Sequence, residues 1–143
     1  TVVALLKVLN NNLASATPAG TNTVGNVGSD PSSGKGTPTS IPISISTGAT
    51  TQLVALSGST KIYVTSFDVI AGGTGTIQFV TGTGTACANG STTLTGAYPL
   101  TAQAGIAKGN GGAAVLITPA GGELCVTTST SAQMSGSLTY QQF

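Results

Sequence analysis

Two periodicities divide the chain. From Val2 to about Ser15 the apolar residues Val2, Leu6, Leu9 and Leu13 recur at spacings of four, three and four, the seam of an amphipathic helix, and Val3, Leu5 and Val8 widen the stripe. So short a helix is marginal alone in water, so either its own domain or a bundle of several chains must hold it. From Ile41 the period becomes two. Ile41, Ile43 and Ile45 alternate with Pro42, Ser44 and Ser46, and the proline assigns that strand to a sheet edge. Between the two patterns, residues 16–40 are a run of Gly, Pro, Ser, Thr and Asn with almost nothing to bury, which reads as an extended arm. Fully extended, that run spans roughly 80 Å. Val24 and Val27 are its sizeable apolar side chains apart from the prolines, and they serve as pegs onto a neighbour.

The strand pattern continues through Gln52–Leu56, Ile62–Ile70 and Thr76–Val80. The glycine turn Gly72-Gly73-Thr74-Gly75 between the last two predicts a hairpin. A loop around Cys87 with an Asn89-Gly90 turn leads to weaker strands near Leu94 and Leu100–Ile106, then Ala113–Thr118, Glu123–Thr128 and Met134–Gln141. In the final strand Met134, Gly136, Leu138 and Tyr140 form the buried face, and Ser135, Ser137, Thr139 and Gln141 a hydroxyl and amide face. The expected architecture is all-β: an antiparallel β-sandwich or jelly roll of about eight strands over residues 41–143, preceded by a short helix and arm over residues 1–40.

Composition changes the picture of the surface. Only Lys7, Lys35, Lys61, Lys108, Asp30, Asp68 and Glu123 are charged, against roughly a quarter of residues in an ordinary soluble domain. The surface is therefore hydroxyl, amide and glycine backbone, a kind poorly protected against association and suited to packing against copies of itself or within a shell. The four lysines are scattered and the net charge is +1, which argues against nucleic acid and anionic membranes as partners. No apolar run approaches the length of a membrane span, and no signal-peptide pattern opens the chain at Thr1.

Candidate chemistry is sparse. Without histidine, a Ser-His-Asp or Cys-His constellation and a His-ligated metal are excluded. Gly34-Lys35-Gly36-Thr37 lacks the spacing and following helix of a phosphate loop, and Gly109–Ala114 lacks the crossover helix of a dinucleotide fingerprint. Ser32-Ser33-Gly34-Lys35 has an acyl-transfer spacing without partner motifs. Asp68 and Glu123 are the carboxylates available for a glycosidase pair, but each reads more simply as a charge at a strand edge. The expectation is a non-enzyme with no catalytic residue, metal or cofactor. Of the aromatic residues, Tyr63, Phe67, Phe79 and Tyr140 read as core, while Tyr98 and Phe143 are candidates for exposed contacts. Cys87 and Cys125 leave two readings open: a disulfide, favoured by their even number, or two buried thiols. If Leu124 and Val126 face the core, Cys125 faces away from it, and a bond would tie a Gly-rich loop to the outside of the sheet. Such a bond belongs to maturation outside a reducing cytosol or oxidation after release.

Several stretches resemble the small virion structural proteins of tailed bacteriophages: Ile62-Tyr63-Val64-Thr65-Ser66-Phe67, the Gly-Thr-Gly-Thr turns, Cys87 with Glu123-Leu124-Cys125-Val126, and Ser135–Tyr140. Ala19–Val27 is similar to arm segments in such proteins. The resemblance implies a β-sandwich that decorates a capsid or forms part of a head or tail fibre, commonly as a homotrimer. The leading expectation is a capsid decoration or cement protein whose helix and arm reach a major capsid protein or another virion subunit. The second is a receptor- or glycan-binding module using Tyr98 or the Cys87 loop. Both place the protein on the virion, extracellular after release.

Overall fold

The β-branched and aromatic runs form strands, and the Gly, Ser, Thr and Asn clusters turn the chain between them. A computed structural model describes Val2, residues 37–109 and residues 113–143. The predicted helix and arm, with Leu6, Leu9, Leu13, Val24 and Val27, lie outside the described residues, and Val2 is 75% exposed. The strands are β1 (Thr39–Ile45), β2 (Thr50–Val54), β3 (Ile62–Ala71), β4 (Gly75–Thr83), β5 (Asn89–Thr93), β6 (Tyr98–Leu100), β7 (Gly105–Gly109), β8 (Leu116–Ile117), β9 (Glu123–Thr128) and β10 (Met134–Gln142). A 3-10 turn at Thr85–Cys87 precedes β5.

Two five-stranded antiparallel sheets pack face to face as a β-sandwich. The first has the order β1-β10-β3-β7, with β8 also on β3; the second has the order β2-β9-β4-β5, with β6 also on β4. Ten short strands thus fill eight positions, because β5 and β6 share one partner and β7 and β8 share another. The core between the sheets takes Ile43, Ile45, Ile62, Val64, Phe67 and Val69 from the first and Val54, Ile77, Phe79, Leu124 and Val126 from the second. Met134 and Leu138 of β10 complete it. Phe67 and Phe79 meet across the sandwich with ring centroids 4.6 Å apart and planes inclined by 50°, a favourable aromatic geometry.

The predicted β3–β4 hairpin is not formed. The glycine turn after Ala71 carries the chain from one sheet to the other, and β3 pairs with β10 and β7 while β4 pairs with β9 and β5. Each strand buries one face in the shared core, so they oppose one another across it instead of bonding edge to edge. Pro42 lies on an edge strand as predicted, since β1 pairs with β10 alone among the described strands.

The alternation of β10 holds through Tyr140, which is half-buried against the core. Gln141 departs from expectation: it lies opposite Tyr63 on the outer side yet is only 8% exposed. The registers Thr139↔Ser66 and Tyr140↔Val64 leave Thr65 unopposed, a bulge that lets Val64 and Phe67 both face the core although three residues apart. Beyond it the ladder gains one further pair, between Lys61 and Phe143.

Buried threonines do the work that charges do elsewhere. The Thr118 hydroxyl accepts the Ile62 N–H at 2.9 Å, and Thr81 donates to the Glu123 carbonyl at 2.9 Å. Thr128 donates to the Thr47 carbonyl. These bonds tie threonine hydroxyls to backbone groups near the ends of strands.

At Gly136 the strands β10 and β3 approach so closely that a Cβ would stand 1.9 Å from the Asp68 carbonyl oxygen. Gly136→Ala must part the central pair of the first sheet. We expect it to lower stability by about 1–3 kcal/mol or more, the range for overpacking, read as a fall in urea midpoint, whereas Ser137→Ala beside it should change stability by less than about 1 kcal/mol.

Candidate functional site

The outer face of the second sheet carries the most elaborate polar construction among the described residues. Strand alternation places Leu124 and Val126 of β9 in the main core and Glu123 and Cys125 on the other side. Val80 of β4 lies opposite Cys125, and Gly82 lies opposite Glu123. Gln52 of β2 flanks Cys125 from the other side. The segment from Gly84 to Ala88 folds back over this surface, and Val80, Cys87 and Cys125 form a second, smaller apolar cluster beneath it.

Cys87 and Cys125 are joined by a disulfide with a Cα–Cα distance of 6.3 Å. The bond ties the Gly-rich loop to the outside of the sheet, as the alternation of Leu124, Cys125 and Val126 implies. It spans 38 residues of sequence; in the chain-entropy model closing such a loop contributes roughly 4 kcal/mol. Part of this offsets local strain, since Ala86 (φ 55°) and Cys87 (φ 59°) both adopt left-handed backbone, which costs about 1–2 kcal/mol for a residue with a Cβ. Gly82 is what lets the loop sit so low. A Cβ there would come within 2.9 Å of the Cys87 carbonyl oxygen and 3.0 Å of the Asn89 one.

Glu123, expected as a strand-edge charge, is instead 3% exposed on a central strand. The Cys87 N–H donates to its Oε1 at 2.7 Å, and the Gln52 side-chain amide donates to its Oε2. The carboxylate thereby fixes the loop to the sheet independently of the sulfur bridge. Its position was readable in part: Glu123 and Cys125 are two apart on a strand and share a face. What hides it in the sequence is the loop that covers it, because nothing local marks residues 84–88 as folding back.

The remaining candidates are dispersed. Asp68 is exposed on the outer face of the first sheet, where Ser137 donates to it, so it and Glu123 lie on opposite sides of the sandwich and do not flank a common site. Tyr98 is half-buried against the core with the Lys108 ammonium 5.5 Å from its ring centroid, a cation–π contact joining β6 of one sheet to β7 of the other. Phe143 is half-buried and stacks on Tyr63, with centroids 4.4 Å apart and planes 12° from parallel. Tyr98 lies opposite Ile77, five residues along β4 from Gly82, so the Tyr98 ring and the Cys87 loop are about 17 Å apart along the strand. They do not form one site.

Next to the stapled loop is an open cleft of about 200 Å³ between β4, β5 and the turn Pro119–Gly122. Thr81, Thr83, Asn89 and Thr92 line it together with Pro119, Ala120 and glycine backbone, and most of the surface it presents is apolar. It offers a few neutral hydrogen-bonding groups on that mainly apolar surface, and neither a charge nor an aromatic face. Comparison with protein-family models, curated proteins and solved structures finds no match for this chain.

Disulfide and carboxylate hold one loop, so their effects should be coupled. Replacing both cysteines by alanine is expected to cost about 2–4 kcal/mol. Glu123→Ala takes the carboxylate from the Cys87 N–H, which keeps the Gly84 carbonyl as a second acceptor at 3.2 Å, and from the exposed Gln52 amide, and is expected to cost about 0.5–1.5 kcal/mol. The triple variant should lose less than the sum, because a loop already released no longer presses its N–H onto the carboxylate; equilibrium urea unfolding of the four proteins reads the coupling.

Proposed function

We propose that this protein is a virion structural protein, a capsid decoration or cement protein whose jelly-roll domain sits on a shell while the preceding segment joins it to neighbouring subunits. The observation that carries the reading is the nesting of the strand pairs. Counting β5 with β6 and β7 with β8, the first position pairs with the eighth, the second with the seventh, the third with the sixth and the fourth with the fifth. This nesting supports the jelly-roll reading, one long antiparallel ribbon wound into two sheets, and jelly rolls occur in viral capsid and lectin domains. Fold alone does not assign function, so two further features matter.

The first is the surface. Among the described residues the charged side chains are Lys61, Asp68, Lys108 and Glu123, and Glu123 is buried. A shell protein gains from such a neutral exterior, because copies pack without like-charge repulsion. The second is the 36 residues that precede the described domain and join it at β1, an edge strand. On the cement reading this segment is the arm that the sequence predicts, and it contacts neighbouring subunits. Several such contacts per homotrimer add through effective concentration even when each is weak. The disulfide supports a final location outside a reducing cytosol.

A receptor- or glycan-binding module of a head or tail fibre is the second reading. The cleft beside the stapled loop, where Thr83, Asn89 and Thr92 stand among Pro119, Ala120 and glycine, favours it, and jelly rolls serve lectins as well.

Light scattering on the full chain and on a form lacking residues 1–36 separates the two. The cement reading expects a trimer that falls to a monomer on truncation, with the β-sheet circular dichroism retained, and loss of binding to shells. A chain that is monomeric in both forms, and whose truncated form binds immobilised glycans as well as the full one, overturns it in favour of the second.

A further inference from the structure

The cluster beneath the Cys87 loop holds more ligand chemistry than a disulfide uses. The sulfur atoms of Cys87 and Cys125 and a carboxylate oxygen of Glu123 all lie within 4.8 Å of one another, and all three residues are buried. A buried carboxylate is costly unless a cation or good donors compensate it. Glu123 is held by the Cys87 N–H and the Gln52 amide, both neutral. Hydrogen bonds of this kind orient a carboxylate as outer-shell partners orient a metal ligand. They also leave lone pairs free, since an ionised carboxylate has about four acceptor positions.

We propose that the reduced protein binds one zinc ion at this cluster through Cys87 Sγ, Cys125 Sγ and the Glu123 carboxylate, making disulfide and metal alternative closures of the same loop. Two thiolates and a carboxylate suit zinc above the hard cations. Around a tetrahedral ion with bonds of about 2.0–2.3 Å, the ligand atoms stand roughly 3.4–3.8 Å apart, inside the span that already contains all three. Cys125 and Glu123 sit on β9, an interior strand paired on both sides, so the loop carrying Cys87 is the element that adjusts.

The exchange balances simply. A dithiol delivers two electrons and two protons to the Cys87–Cys125 bond, giving two thiols while the dithiol becomes its own disulfide. Zinc displaces the two thiol protons to solvent, and a water takes the fourth position. A disulfide oxidant later removes two electrons from the thiolates, takes two protons from solvent and becomes two thiols, which re-forms the Cys87–Cys125 bond and releases the ion. This site stands independently of the virion reading.

The test uses the full chain, reduced with a phosphine that is then removed anaerobically, and titrated with cobalt(II) as a spectroscopic substitute for zinc. Expected are sulfur-to-cobalt charge-transfer absorption and tetrahedral visible bands saturating at one ion per chain, reversed by zinc and absent from the oxidised protein. Cys87→Ser with Cys125→Ser should abolish them. Glu123→Gln should weaken binding by at least the tenfold or so that follows loss even of an outer-shell partner. Glu123→Asp keeps a carboxylate and should bind more tightly than Glu123→Gln, which separates loss of a ligand from a general defect of the loop. Absence of the bands in the reduced chain overturns the proposal. So does unchanged affinity in Glu123→Gln, or a reduced chain whose β-sheet circular dichroism is lost and not restored by metal.

Discussion

The sandwich depends on β10 lying between β1 and β3. This strand is the last described element of the chain, yet it occupies an interior position of the first sheet and supplies Met134 and Leu138 to the shared core. Its hydroxyl contact between Thr139 and Ser40 joins residues 99 positions apart. Neither β1 nor β3 can be paired on that side until the C-terminal strand arrives, and β9 holds the equivalent interior position in the second sheet. A topology whose interior strands β10 and β9 come last in the chain and pair with its first two strands, β1 and β2, meets loop-closure entropy before the contacts that reward it, the property that makes all-β domains slow to fold. The β4–β5 pair, whose strands are separated by the stapled loop alone, is the most local exception.

With so few charges, the outer faces are organised by neutral pairs across strands. Ser40 meets Thr139 and Thr50 meets Thr127, each at 2.8 Å between hydroxyl oxygens. Cross-strand hydroxyl pairs stabilise a sheet by a few tenths of a kcal/mol to about 1 kcal/mol each. Unlike ion pairs, they project no field beyond the surface and are little altered by salt. The exterior that results neither repels a second copy nor steers a charged ligand, which ties the bonding of the sheets to the assembly reading.

Much of this fold was legible in residue order. Ile41, Ile43 and Ile45 announced β1, Pro42 its edge position, and the runs at Glu123–Thr128 and from Met134 marked β9 and β10 to within a residue. Partners were not legible, because the same two-residue period serves a strand paired to its neighbour or to one a hundred residues away. That is why the glycine turn at Gly72 read as a hairpin and proved to be a crossing between sheets. The bulge at Thr65 left a trace, the spacing of three between Val64 and Phe67, which a strict alternation passes over. Glu123 was misjudged for another reason: burial of a carboxylate depends on what folds over it, and the loop that does so is fixed by Gly82, the left-handed Ala86 and Cys87, and the disulfide, all of them tertiary.

That loop also sets a problem of sequence in time. With Ala86 and Cys87 in left-handed backbone, it has little intrinsic preference for its folded shape, and the small cluster of Val80, Cys87 and Cys125 buries too little apolar surface to hold it. Some closure is needed, and the Glu123 hydrogen bonds are the part that does not depend on redox state. A protein assembled under reducing conditions and used under oxidising ones would have only those bonds at first and the disulfide later. An ion held by the same sulfur atoms supplies closure in the interval, and its release on oxidation leaves the loop where the covalent bond needs it. The buried carboxylate then has one role in both states: it keeps the loop seated while the bond that locks it is still to be made.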